Sequence, residues 1–207
     1  MPNTIRIHSF PLSGYGHRVE LFASVAGINY EVINVDVQGG EHKSAAYLAK
    51  NPMGQVPVIE DGDTTLYDSN AILVYLARKY APAFIPNDPL QEAQVQKVLS
   101  LVAGELAFGS AAARMINLFN APLDKAFAHA QATKFFKQLD AHLDGRCWLV
   151  GDGPTIADIA IYSYTAHAPE GGISLAPYPN IRRLLLNIQG LEGFVPMQST
   201  PIGLYAH

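Results

Sequence analysis

Alternating apolar and polar positions open the chain. Ile5 and Ile7 alternate with Arg6 and His8, which predicts a strand over residues 4–8. Pro11 and Gly14 break it. Val19, Phe22, Ala23 and Ala26 then recur at helical spacing, and Gly27 supplies a stop. Alternation returns over residues 31–37, with Ile33, Val35 and Val37 on one face. Gly39 and Gly40 open a loop, and residues 44–50 predict a short helix. A third strand is expected over 56–60, with a proline inside it. Asp61-Gly62 is a hairpin signal leading to a fourth strand, Thr64–Tyr67. Ile72, Leu73, Leu76 and Tyr80 mark the face of a further helix. The order β-α-β, α, β-β-α predicts a mixed four-stranded sheet covered by helices. Its first two strands are parallel through a right-handed crossover, and the last two are antiparallel.

Pro82, Pro86 and Pro89 then cluster, and the strand pattern disappears. Helices are expected over 90–119, 123–143, 155–167 and 181–188. Gly104 and Gly109 would allow a neighbour to approach the first of them closely. Thr155-Ile-Ala-Asp158 reads as a capping box, a folding device. The fold class is α/β plus all-α: residues 1–80 form a βαβ-α-ββα domain, 81–89 a linker, and 90–207 an α-helical domain.

The chain has 207 residues, of which 49% are apolar, enough to build a sizeable core. Net charge is −4, so electrostatics gives no reason to expect nucleic acid or an anionic membrane as partner. The N-terminus enters a strand pattern without a leader-like stretch. The apolar segments read as too short or too interrupted to span a bilayer. One cysteine, Cys147, excludes an internal disulfide, a C-x-x-C redox pair and a cysteine-based zinc site. A soluble cytoplasmic protein is expected.

Three places carry candidate chemistry. Ser13 lies just before the first turn of the first helix, where free amides and the helix dipole favour an anion. Spacing alone makes it an N-cap. No G-x-S-x-G elbow or convincing Ser-His-Asp order supports a serine nucleophile. A serine hydroxyl there would be able to donate to a thiolate brought by a ligand, lowering the thiol pKa from about 8.5. At Val56-Pro57 the proline donates no ladder bond, so main-chain groups are left to meet something other than the sheet. Asp68-Ser69 offers a carboxylate, a hydroxyl and helix-start amides. Together these would hold a small, zwitterionic, peptide-like ligand.

The set formed by Ser13, Arg18-Val19, Gly39-Gly-Glu-His-Lys-Ser44, Asn51-Pro-Met-Gly-Gln-Val-Pro57, Asp68-Ser-Asn-Ala-Ile72 and Pro154-Thr-Ile-Ala-Asp158 resembles the glutathione S-transferases. The resemblance is to the serine-dependent phi, theta and zeta classes and their bacterial relatives, and spans nearly the whole chain. It implies a thioredoxin-like N-terminal domain, a helical C-terminal domain and a homodimer. It also implies catalysis by Ser13, which would hydrogen-bond the glutathione sulfur. Val56-Pro57 would be the cis-proline turn that pairs with the cysteinyl backbone. Asp68 and Ser69 would take the γ-glutamyl end, His42 and Lys43 the glycine carboxylate, and Gln55 the tripeptide backbone. Many relatives have Glu where this chain has Asp68. Ser9 and Tyr15 are rival hydroxyls for the sulfur. Phe10, Leu12, Tyr15, Phe108 and Met115 are candidate walls of an apolar acceptor site between the domains.

The implied activity is conjugation of glutathione to small hydrophobic electrophiles, with glutathione as co-substrate and no other cofactor. Glutathione-dependent peroxide reduction, isomerisation, or a non-catalytic binding module are alternatives on the same site. Mixed-disulfide chemistry has no nucleophile, because the turn reads Ser13-Gly-Tyr-Gly16. His8, His17, His129, His142, His167 and His207 lack neighbours at metal spacing, so no metal is expected. Arg18 reads as a structural ion pair or an anion guide. Cys147 reads as a buried small hydrophobe, and Phe108, Phe119 and Tyr164 as core.

Overall fold

Strand β1 (Ile5–Ser9) is central because both of its faces are covered: Ile5, Ile7, His8 and Ser9 are all buried. It pairs in parallel with β2 (Tyr30–Asn34) and antiparallel with β3 (Val58–Asp61), which pairs antiparallel with β4 (Thr64–Tyr67). The sheet order is β2-β1-β3-β4, the mixed four-stranded sheet that the alternation predicts. The structure, a computed structural model, describes residues 4–203.

Helix α1 (Gly14–Val25) is the crossover, and α3 (Ser69–Tyr80) packs against it. Between them they bury Val19, Leu21 and Phe22 from α1 and Ile72, Leu73 and Leu76 from α3. Gly27, at φ +64°, takes the left-handed conformation that ends α1. The short α2 (Ala45–Leu48) is capped by Ser44, whose Oγ accepts from Tyr47 N at 3.2 Å. Tyr47, Val35 and Val58 form a second small apolar cluster.

Two strand limits differ from the pattern. β2 ends at Asn34, because the chain turns at Asp36, whose carboxylate accepts from Gly39 N at 2.6 Å while its own N–H donates to Glu41 Oε2 at 2.7 Å. β3 begins at Val58, so Pro57 precedes the strand and does not sit inside it, in keeping with its missing N–H.

The remainder is helical among the described residues. A continuous 31-residue helix, Pro89–Phe119, comprises α4 (Pro89–Leu101), a π-helical segment (Val102–Ala111) and α5 (Ala112–Phe119). It is followed by α6 (Lys125–His142), α7 (Ile156–Ala166) and α8 (Pro179–Gln189). The apolar run of the long helix is not too short to span a bilayer: it passes by length and composition, with half of that window buried within the protein. Of the two glycines expected to admit a neighbour, only Gly109 does so. A Cβ there would lie 2.9 Å from Ala132 N, whereas one on Gly104 would meet nothing within 4 Å. The capping box of α7 is complete, and buried Asp158 also accepts from Leu149 N at 2.9 Å.

The chain divides into two units, Met1–Ile85 with Leu191–Gln198, and Pro86–Gly190 with Ser199–His207. Leu191–Gln198 thus returns to the first unit as a strap. His17 Nε2–H donates to the Val195 carbonyl at 2.9 Å, and a Cβ on Gly193 (φ +78°) would lie 2.6 Å from the Ser24 carbonyl oxygen. Nothing in the apolar pattern of this segment announces that role.

Candidate active site

Strand register collects the candidate residues at one end of the sheet. Ser9 pairs with Asn34, His8 with Val58, and Val58 with Tyr67. The turn carrying Ser13 follows β1 there, and the segment carrying His42 and Lys43 follows β2. Val56-Pro57 leads into β3, and Asp68 and Ser69 follow β4. Four loops far apart in sequence therefore share one edge.

Ser13 is the N-cap of α1. Its Oγ accepts from Gly16 N at 3.1 Å, and its backbone is extended (φ −85°, ψ 112°). Capping uses a lone pair and leaves the hydroxyl proton for donation. Accepting from a helix-start amide also polarises the O–H towards a stronger donor. The cap and a sulfur-facing role are therefore compatible. Ser9 is buried behind α1: a Cβ on Gly16 would lie 1.9 Å from its Oγ. Tyr15 is partly buried, with the Arg18 guanidinium 5.0 Å from its ring centre. Burial raises its pKa further, against the pull of Arg18, so its hydroxyl is a neutral donor at pH 7.

Val56-Pro57 is a cis peptide. The Val56 main chain makes no hydrogen bond among the described residues. Its neighbour Gln55 is exposed, but the Gln55 carbonyl is held by Tyr47 Oη at 3.0 Å and Asn51 Nδ2 at 2.8 Å. Lys43 Nζ donates to the carbonyls of Gly54 (2.9 Å) and Met53 (3.4 Å). Its ammonium thus fixes the loop before Val56, a job the sequence did not suggest. Gly54 (φ +57°) is needed there, since a Cβ would lie 2.9 Å from both the His42 carbonyl oxygen and Lys43 Nζ. His42 Nδ1 is buried without a hydrogen-bond partner among the described residues.

Asp68 sits at φ +69°, a conformation costly for a non-glycine residue. It caps α3, with Oδ1 accepting from Asn70 N (2.9 Å) and Ala71 N (3.0 Å). Those helix-start amides, expected to be available to a ligand, are occupied. The Ser69 N–H is the one there that makes no hydrogen bond among the described residues. The sequence is compatible with two roles for Arg18, a structural ion pair or an anion guide. Arg18 is 1% exposed and donates from Nη1 to Ser69 Oγ (3.1 Å) and Asn70 Oδ1 (2.9 Å), fixing the Ser69 hydroxyl from behind. The available signal was its place between His17 and Val19 on the buried face of α1.

Other candidates fall elsewhere. Phe10 lines a cavity beside the strap, and Leu12 is partly buried. Phe108 (61% exposed), Met115 and Phe119 are exposed, so Phe108 and Phe119 are not core, whereas Tyr164 is buried. Cys147 is exposed, on a loop whose backbone is held by Asn187 Nδ2. Two histidines do find carboxylates in space, His8 with Glu60 and His167 with Glu170. His207 lies outside the described residues. Among the described residues no group of three or more His, Cys, Asp or Glu is placed to hold a metal ion.

The sequence model of the glutathione S-transferase N-terminal domain matches residues 4–78, and that of the C-terminal domain matches residues 121–192. Glutathione S-transferase 3 of Zea mays is 32% identical over 163 residues, covering 74% of this chain and 73% of the maize protein. A Pseudomonas aeruginosa protein named maleylacetoacetate isomerase is 29% identical over 192 residues, 87% of this chain and 89% of its own. Among solved structures, a glutathione S-transferase from Pseudomonas fluorescens is similar with a TM-score of 0.88 and 33% identity, over 94% of this chain and 99% of that one. The mixed sheet with its crossover is the thioredoxin-like domain of these proteins, and the helices that follow are their C-terminal domain. The chain belongs to the glutathione S-transferase family.

Proposed function

We propose that the protein binds glutathione along the sheet end, keeps its sulfur as a thiolate through the Ser13 hydroxyl, and conjugates it to small hydrophobic electrophiles. The observation that carries this reading is the Ser13 cap, whose oxygen accepts from Gly16 N and whose proton remains to donate. The Val56 main chain, which makes no hydrogen bond among the described residues, fits the cysteinyl backbone as one strand residue fits another. The Ser69 N–H and hydroxyl fit the γ-glutamyl carboxylate, with Asp68 Oδ2 near for the ammonium. His42 and Gln55 reach the remaining backbone, and one Lys43 N–H is left for the glycine carboxylate. Leu12 and Tyr15, on the turn that carries Ser13, are the acceptor walls proposed within the first unit. The active species is a homodimer, and no further cofactor is used.

Ser13→Ala is expected to return the bound thiol to about 8.5, near its value in water. Turnover with an aryl halide should fall by about 10²-fold or more, with KM for glutathione little changed. Ultraviolet titration of the saturated complex reads the thiolate directly. An unchanged titration in Ser13→Ala would remove Ser13 from the mechanism. A second reading, isomerisation with glutathione as the attacking and departing nucleophile, is favoured by the relation to the Pseudomonas aeruginosa isomerase. It predicts activity on an unsaturated diacid that exceeds conjugation of the aryl halide.

A further inference from the structure

We infer that the cavity beneath the C-terminal strap is a binding site for a small organic cation, an ammonium group carried on an apolar body. The cavity encloses about 280 Å³, close to the lower end of small-molecule sites, and lies wholly within the first unit. Its polar lining includes Glu20, Asn34 and Gln198, and its apolar lining Phe10, Val32 and Met197. Among the described residues no lysine or arginine lines it, and the one lining histidine, His17, has its Nε2 turned to the Val195 carbonyl.

Glu20 supplies the negative charge of the site. Its carboxylate is partly buried on α1 and, among the described residues, makes no ion pair or hydrogen bond. Burial alone displaces its pKa, upwards, as expected for a carboxylate with no compensating cation. A partly desolvated negative charge facing a cavity is best matched by a positive one brought from outside. The Asn34 and Gln198 amide oxygens supply further acceptors for N–H groups. Phe10 offers a ring face for the cation or its body, and Met197 a polarisable contact. The site is shaped in advance, because His17 and Gly193 fasten the strap to α1. Ser13, Val56 and Ser69 do not line it, and glutathione, an anion, is the wrong charge for it.

The test uses 2-phenylethylammonium on the intact protein, titrated by calorimetry with amide shifts followed by NMR. Saturable binding is expected, with shifts at Glu20, Asn34 and Gln198. Glu20→Gln should weaken it at least tenfold, and the neutral isostere 2-phenylethanol should bind wild type at least tenfold more weakly than the cation. Val32→Trp, which adds bulk at an exposed lining position and leaves the carboxylate unchanged, should abolish binding while a circular-dichroism melt reports a folded protein. Equal affinity for cation and alcohol overturns the inference. So does equal affinity of wild type and Glu20→Gln, shifts confined elsewhere, or no saturation below about 10 mM. Should Glu20→Gln not fold, Val32→Trp and the alcohol comparison decide.

Discussion

At the scale of single residues, buried charge works on behalf of exposed chemistry. Arg18 is not itself proposed to meet the ligand, yet it holds Ser69, which is, and Asn70 in place. Arg18→Met should raise the glutathione KM roughly tenfold with a smaller change in kcat, and lower stability by about 2–4 kcal/mol. Arg18→Lys should not rescue it, since a point charge does not reproduce a planar fork. Full activity in Arg18→Met would show that Ser69 needs no such support. Glu60 makes a different prediction. Hydrogen bonds first from His8, then from Lys50, hold its carboxyl down at about 2. Its folded pKa lies below its unfolded value of about 4.3, so its stabilisation is complete above that value and is lost as pH falls towards 2. Urea midpoints measured between pH 5 and 2.5 should therefore fall less steeply in Glu60→Gln than in wild type. Parallel slopes would refute the assignment.

At the scale of elements, two glycines of one helix should respond with opposite signs. Gly109→Ala drives a Cβ into the α6 backbone at 2.9 and 3.0 Å and should cost about 1–3 kcal/mol. Gly104→Ala meets nothing and should stabilise by about 0.5–1 kcal/mol. Chemical denaturation of both variants checks the pair, and a shared sign would mean that the helix shifts to absorb either side chain. Asp158→Ala should cost about 2–4 kcal/mol, because it removes the acceptor for Leu149 N and Thr155 N in a fully buried site. That box was legible from four letters, and β4 from the hairpin signal before it. The π segment was not, because Val102–Ala111 is small or apolar nearly all round and so loses the period that would reveal a change of winding. In the site, Ser13, Val56 and Ser69 were readable as cap, proline turn and helix start. The roles of Arg18 and Lys43 were not, since which polar atom a long side chain reaches depends on the sheet register that brings distant loops together.

At the scale of the whole molecule, the first unit is discontinuous in sequence. Unfastening the strap by His17→Ala should make Leu191–Gln198 a protease-sensitive site and destabilise the first unit by about 1 kcal/mol. Limited proteolysis with mass spectrometry distinguishes this from general loosening, which would cut elsewhere as well. The strap also imposes an order on biosynthesis. Residues 5–80 leave the ribosome early and can assemble their sheet, but the stretch that finishes them is translated only after the entire helical half. Until then, α1 keeps an uncovered flank in the nascent chain, and a truncated message would yield an N-terminal domain that is folded yet never sealed.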